Sequence, residues 1–294
     1  MSAAFELEQE LSDQDRVDDT RGTPWRWICS IRVDFPEQVI RFANDTPATS
    51  TFGTGLLVTP RHVLTSAHLF HALEKRGGHF FVVPPKEITV VPGRDDERVN
   101  PRPFRSYRGQ LLGIPQKFRE LAYRRASAPF DYAALRLNKA VGDKTFLKLD
   151  KRRLGWWGKA YDYYMRPVAG NFRQDLEDRK VNVAGYPSEG DSISDDYSTP
   201  SGIQHHGFDW VWDAYPQIDG KTVPLVAYLV NASEGNSGGP VWIKDKSTQR
   251  RYLVAIHRGR LGVSAESDGV LITPEVIDQL ERWGISRQSL SLVP

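Results

Sequence analysis

The chain has 294 residues, 39% of them hydrophobic and 26% charged, and carries a net charge of +2. That is enough chain for one large or two smaller domains. The near-neutral balance offers no overall field for nucleic acid or a membrane surface, so neither is expected as a partner. A single cysteine, Cys29, excludes an intrachain disulfide and fits a reducing compartment. The N-terminal residues lack the basic and apolar regions of a signal peptide. No stretch reaches the ~18–20 apolar residues of a membrane span. The expected location is cytoplasmic, with signal-independent export left open. The 24 glycines and 19 prolines suit many short strands and turns rather than long helices.

Residues 1–24 are acidic and polar, and read as a solvated arm. From Trp25 the pattern alternates, with Trp25, Trp27, Cys29, Ile31 and Val33 on one face and Ile28 the apolar exception on the other. Cys29 reads as a small buried residue. The runs 53–59 and 61–67, joined by a Thr-Pro-Arg-His turn, predict a hairpin. Further strands are predicted at 80–83, 88–91, near 110–114 and at 131–137. These make a first β-unit over residues 25–150. Residues 151–180, which include Trp156 and Trp157, read as a linker with an insertion. A second β-unit spans 181–272, with strands at 181–186, 210–212, 225–230, 241–243 and 252–257 and a long loop over 188–209. Trp156, Trp157, Trp210 and Trp212 are expected to be mostly buried. In the last segment, 273–294, Thr273 as N-cap, Pro274 at the first helical position and Gly284 after the last turn mark a helix. The arrangement predicts an all-β protein of two sheets or barrels.

Three short motifs carry chemistry. Gly235-Asn236-Ser237-Gly238-Gly239-Pro240 surrounds one hydroxyl with glycines. Such a loop is either a glycine-rich hairpin turn or a way to expose the Ser237 hydroxyl and aim the amides of Gly235 and Ser237 at an oxyanion. Serine needs a base to become a nucleophile. Among seven histidines, His68 follows the strand-like Leu64-Thr65-Ser66-Ala67, with small neighbours that leave its ring free to reach out. Asp131 opens an apolar strand, where a carboxylate needs a partner, and His68 would be one. The alternatives are a structural histidine and a strand-initiating aspartate. Taken together, the order His, Asp, Ser is one of the few known for serine hydrolases.

On these motifs the chain resembles the chymotrypsin/trypsin-like serine proteases. Thr65-Ser66-Ala67-His68, Asp131-Tyr132-Ala133-Ala134-Leu135 and Gly235–Pro240 resemble the family's three signature segments. The resemblance implies two six-stranded antiparallel β-barrels and a C-terminal α-helix. It implies a serine endopeptidase that works through an acyl-enzyme, with Ser237 as nucleophile, His68 as base, Asp131 orienting His68, and no cofactor. Asn236 stands where zymogens of the family have the aspartate that pairs with a new N-terminus, so that activation route is not expected. Asn236, the lack of cysteine pairs, Val183–Pro187 and Ile256-His257-Arg258-Gly259 resemble the bacterial glutamyl-endopeptidase-like (V8-like) branch. This implies that Asn231, Ala232, Ile256, His257 and Arg258 bind substrate and that Glu or Asp is preferred at P1. For His257, a ring satisfied inside a strand is the other reading. Asp95, Asp96 and Glu97, like Asp191, Asp195 and Asp196, lack regular ligand spacing, so no metal is expected. The implied partners are a protein or peptide substrate and an activating or regulatory protein. The rival reading is an inactive or latent protease-like binding protein.

Overall fold

The computed structural model describes residues 14–41, 47–76, 79–96, 100–121, 124–146, 149, 151–158, 162–169, 176–187, 202–260 and 266–293. Most of the acidic arm (1–13), Glu97, and the 188–201 part of the predicted loop with its three aspartates lie outside them.

The N-terminal barrel is built from β1 (Ile28–Arg41), β2 (Pro47–Leu57), β3 (His62–Thr65), β4 (Glu87–Pro92), β5 (Tyr107–Gly113) and β6 (Ala133–Leu137). Their order is β2-β3-β6-β5-β4-β1, closed by β1 on β2. The C-terminal barrel comprises β7 (Lys180–Gly185), β8 (His205–Ala214), β9 (Leu225–Tyr228), β10 (Pro240–Lys244), β11 (Arg251–Arg260) and β12 (Ser267–Leu271). It runs β8-β7-β10-β11-β12-β9 and closes by β9 on β8. Within both barrels all pairings are antiparallel. Closure leaves neither barrel with a free edge, which is why strands this short are stable. The predicted 53–67 hairpin is present: Leu56 and Leu57 pair with Leu64 and Val63, and the Thr59 hydroxyl accepts from the Arg61 and His62 amides to shape the turn.

Ile28 is fully buried, as are its neighbours Trp27 and Cys29. It breaks the alternation because β1 has the other barrel on its second side: the Tyr186 hydroxyl donates to the Ile28 carbonyl at 3.2 Å. The end of the arm is tied to the second barrel, although Asp15, Arg16, Asp18 and Asp19 stay exposed. Asp15 and Arg16 pair with His206 and His205, and Val17 and Thr20 are buried. This pairing, with β7 on the other edge, makes a strand of residues 205–209, where polarity had suggested a loop. Trp210 and Trp212 correct the expectation of burial. They are 48% and 56% exposed, because the period-two alternation that buries Val211 turns them outward.

Several described residues of the linker are packed: Leu154, Trp157, Tyr163, Met165 and Val168 are buried. Trp157 and Tyr163 are buried against Trp27, with ring centroids 6.3 and 4.9 Å away, and Trp157 also meets Trp242 of β10 at 5.9 Å. These edge-on contacts tie the linker to both barrels. Besides the five-residue helix α1 (Gln116–Glu120), the described residues include the C-terminal helix α2 (Pro274–Arg282). Its Thr273 cap accepts from the Val276 amide as expected, and Val276, Ile277 and Leu280 are buried. Trp283, at its end, meets Tyr132 with centroids 5.9 Å apart, so the C-terminal segment braces the N-terminal barrel.

Trp27 has its indole N–H bonded to the Leu154 carbonyl at 2.7 Å and no exposure. Trp27→Ala is therefore expected to lose about 3–5 kcal/mol of stability, read as a lower urea midpoint. A loss below about 1 kcal/mol would show that the aromatic cluster is not what joins linker and barrels.

Candidate active site

His68 sits in a single 3-10 turn, Ala67–Phe70, that begins where β3 ends. Asp131 follows a second such turn, Arg125–Phe130, and leads into β6. Because Thr65 pairs with Ala133, the ends of the two strands are adjacent. Asp131 is 1% exposed and accepts twice from His68: from the ring Nδ1–H at 2.7 Å and from the backbone amide at 2.9 Å. Burial works against ionising the Asp131 carboxyl. The His68 charge, the His68 bonds and the Arg258 charge outweigh it and hold the acid below the usual carboxylate range.

Ser237 comes to the same place from the other barrel. Gly235 and Gly238 have φ of 90° and 89°, the left-handed region that a side chain strains. At Gly238 a Cβ would also lie 2.1 Å from the Thr54 carbonyl oxygen, so only glycine allows the loop to approach β2 so closely. The Thr54 amide donates to the Ser237 carbonyl at 2.8 Å, and the Thr54 hydroxyl to the Gly235 carbonyl at 2.7 Å. The His257 carbonyl accepts from both the Gly238 amide (2.8 Å) and the Ser66 hydroxyl (2.9 Å). That shared acceptor joins the His68 segment to the Ser237 loop. Among the described residues the amides of Gly235 and Ser237 donate to nothing, as an oxyanion site would require. The Ser237 hydroxyl donates to the Arg258 carbonyl at 3.1 Å. Asn236 is buried, and its side-chain amide donates to the Ser233 carbonyl at 3.2 Å.

The residues expected to bind substrate divide. Asn231 is half-buried and Ala232 buried just before the loop. Ile256 pairs with Pro240 and Val270, and the His257 backbone bonds to Gly238 and Gly239, so neither main chain is left for a substrate strand. Arg258 is the first position whose carbonyl turns to Ser237. The His257 ring is fully enclosed, with Nδ1 at 2.5 Å from the Tyr228 hydroxyl, which itself donates to the Asp268 carbonyl. Burial, with the Arg258 and His68 charges, pushes His257 down to about 3, so it is neutral at ordinary pH.

Three contributors were not singled out in the sequence. Asp268, with no exposure, forks onto Arg258 through 2.9 and 2.6 Å bonds. Tyr228 fixes His257, and Thr54 clamps the loop. Asp268 has a visible signal, an acid that leads directly into the apolar Gly269-Val270-Leu271. Thr54 and Tyr228 had none, because their roles lie entirely in contacts between distant segments. Cys29 is buried, and burial pushes its thiol far up, which removes it as a nucleophile.

No protein-family model matches the chain, and no curated protein sequence matches it significantly. Solved structures do. A Glu endopeptidase superposes with a TM-score of 0.59 at 17% identity, covering 92% of this chain and 95% of that one. The protease Anisep from Arthrobacter nicotinovorans gives 0.53 at 14% identity, covering 90% and 99%. A thermostable serine protease, AL20, from an extremophilic microorganism gives 0.51 at 15%, covering 86% and 94%. The chain has the chymotrypsin-like fold: two closed six-stranded barrels followed by a C-terminal helix, shared with these serine proteases.

The buried His257 sets a pH dependence. Its folded value of about 3 lies below the ordinary 6.5, so the unfolded chain binds the extra proton between those limits. Its contribution is full above pH ~6.5 and is lost as pH falls toward 3, by up to ~1.4 kcal/mol per pH unit. His257→Gln should flatten the stability–pH curve over that window in urea titrations. An unchanged slope would mean the ring protonates in place.

Proposed function

We propose that the protein is a serine endopeptidase in which His68, Asp131 and Ser237 act as a triad. The observation that supports this best is the pair of hydrogen bonds from His68 to the buried Asp131, at the junction that also holds the Ser237 loop. Asp131 holds the tautomer with the proton on Nδ1, which leaves Nε2 as the base. The Ser237 proton, directed at the Arg258 carbonyl at rest, turns to Nε2 as the oxygen attacks the scissile carbonyl. The amides of Gly235 and Ser237 stabilise the oxyanion, on the order of 3 kcal/mol each. The imidazolium then protonates the leaving amine, and water, activated by the same histidine, releases the acyl-enzyme. Asn236, buried with its amide on the Ser233 carbonyl, carries no charge to pair with a new N-terminus, so the proposed activity needs no zymogen-type ion pair.

Acidic P1 selectivity is the finer part of the proposal, and it rests on Arg258. Its backbone carbonyl accepts from the Ser237 hydroxyl at 3.1 Å, so its segment lies beside the nucleophile. Asp268 already neutralises it, and His257 is uncharged, so a P1 carboxylate competes with Asp268. The preference for Glu or Asp is therefore expected to be modest, and the protein Glu endopeptidase is a structural likeness only.

A fluorophosphonate probe is expected to label Ser237, and Ser237→Ala should abolish labelling and peptide cleavage with an unchanged melting temperature. Folded wild-type protein that neither labels nor cleaves would favour a binding role for the fold. In peptide-library cleavage, Glu and Asp should be enriched at P1, and Asp268→Asn should raise that enrichment several-fold. Absence of acidic enrichment in both proteins would remove the P1 reading while leaving the hydrolase reading intact.

A further inference from the structure

A second site lies at the far ends of β3 and β6, roughly 10 Å or more of strand from His68 and Asp131. Two adjoining cavities of about 370 and 380 Å³ open there, and both are lined by Arg108 and Asn138. The first adds Arg105, Lys139 and Lys144, and the second adds Arg61 and Arg136. Against these six cations the lining residues include one carboxylate, Glu87, which is paired with Arg108 Nε at 3.1 Å.

The backbone forces these charges together. Arg136 sits between Gln110 of β5 and His62 of β3. The Leu137 amide donates to the Arg61 carbonyl at 2.8 Å, and the Asn138 amide to the Arg108 carbonyl at 3.0 Å. None of Arg61, Arg105, Arg136, Lys139 and Lys144 has a salt-bridge partner among the described residues. Like charge adds to burial at two neighbours. The Lys144 ammonium is pushed down by burial and then by Lys139 and Arg105. His62 is pushed down to about 4 by burial and then by Arg136 and Arg61.

Two donors point the same way. Tyr107 lines the first cavity at 6% exposure, and its buried hydroxyl has no partner among the described residues. The buried Arg61 Nε likewise has none. A buried donor left unmatched is costly unless a ligand supplies the acceptor. The required ligand must deliver several negative charges and many acceptor oxygens within two joined cavities. A carboxylate brings one charge per group. Linked phosphates bring more charge in the same volume, and their oxygens match the planar forks of arginine.

We propose that this paired cavity binds an oligophosphate group. The test is calorimetric titration of the full chain at low salt with sodium tripolyphosphate, orthophosphate and a penta-glutamate peptide. Tripolyphosphate should bind once per chain, at least about tenfold tighter than orthophosphate or the peptide, and weaken steeply with added salt. Arg136→Gln combined with Lys144→Gln should weaken it at least about tenfold. The milder Lys139→Gln, at an exposed position, should weaken it several-fold with the fold untouched. Lys246→Gln combined with Arg250→Gln, on the distant β10–β11 turn, should change it less than twofold. Vesicles carrying a phosphatidylinositol bisphosphate identify the source of the phosphate: co-sedimentation reversed by tripolyphosphate assigns a lipid headgroup, and no co-sedimentation assigns a soluble phosphate compound. No saturable binding, equal weakening by the distant pair, or a peptide that binds as tightly as tripolyphosphate would overturn the proposal. Binding is read without turnover, so the outcome is independent of any peptidase activity.

Discussion

Thr54 is the point on which the site depends. Its amide and hydroxyl take the carbonyls of Ser237 and Gly235, its hydroxyl accepts from the Tyr186 amide at 2.9 Å, and its carbonyl accepts from the Thr65 hydroxyl at 2.6 Å. One residue of β2 therefore fixes a loop of the second barrel and the strand that delivers His68. Thr54 has no exposure, so water does not compete for these bonds. The glycines of the loop follow from this clamp, since a side chain at Gly238 would collide with it.

Charge around the site is organised as two buried carboxylates, Asp131 bonded to His68 and Asp268 to Arg258. Asp131 receives two bonds from His68 and is held below its ordinary range despite its burial. Asp268 is pushed up, by burial first and also by Asp131, and Arg258 offsets that only in part. The two acids repel each other, and both are tied to Arg258. A buried pair of this kind adds little net stability, but removing one partner leaves an uncompensated charge. Arg258 thus links the orienting acid to the neighbourhood of the nucleophile. Its own backbone carbonyl accepts a hydrogen bond from the Ser237 hydroxyl at rest.

The three motif segments were legible because their chemistry is local. The turn after Thr59, the cap at Thr273 and the glycines around Ser237 each follow from the conformations their own residues favour. The 205–209 strand was not legible, because its polar residues are ordered by pairing with β7 and Asp15 rather than by an apolar face. The linker failed in the same way: Trp157 and Tyr163 looked like parts of a loose segment until Trp27 was placed beside them. Trp210 and Trp212 were misjudged because residue type was weighed above alternation.

By itself the sequence determined the two-barrel class, the order His68, Asp131, Ser237 and the capped final helix. Each depends on residue type and short spacing. Tertiary structure alone decided that Thr54 clamps the Ser237 loop and that Tyr228 encloses His257. It also decided that Asp268 neutralises Arg258 and that six cations meet at the far end of the first barrel. These contacts join residues far apart in the chain, and only closure of the barrels and the register of their strands bring such residues within reach.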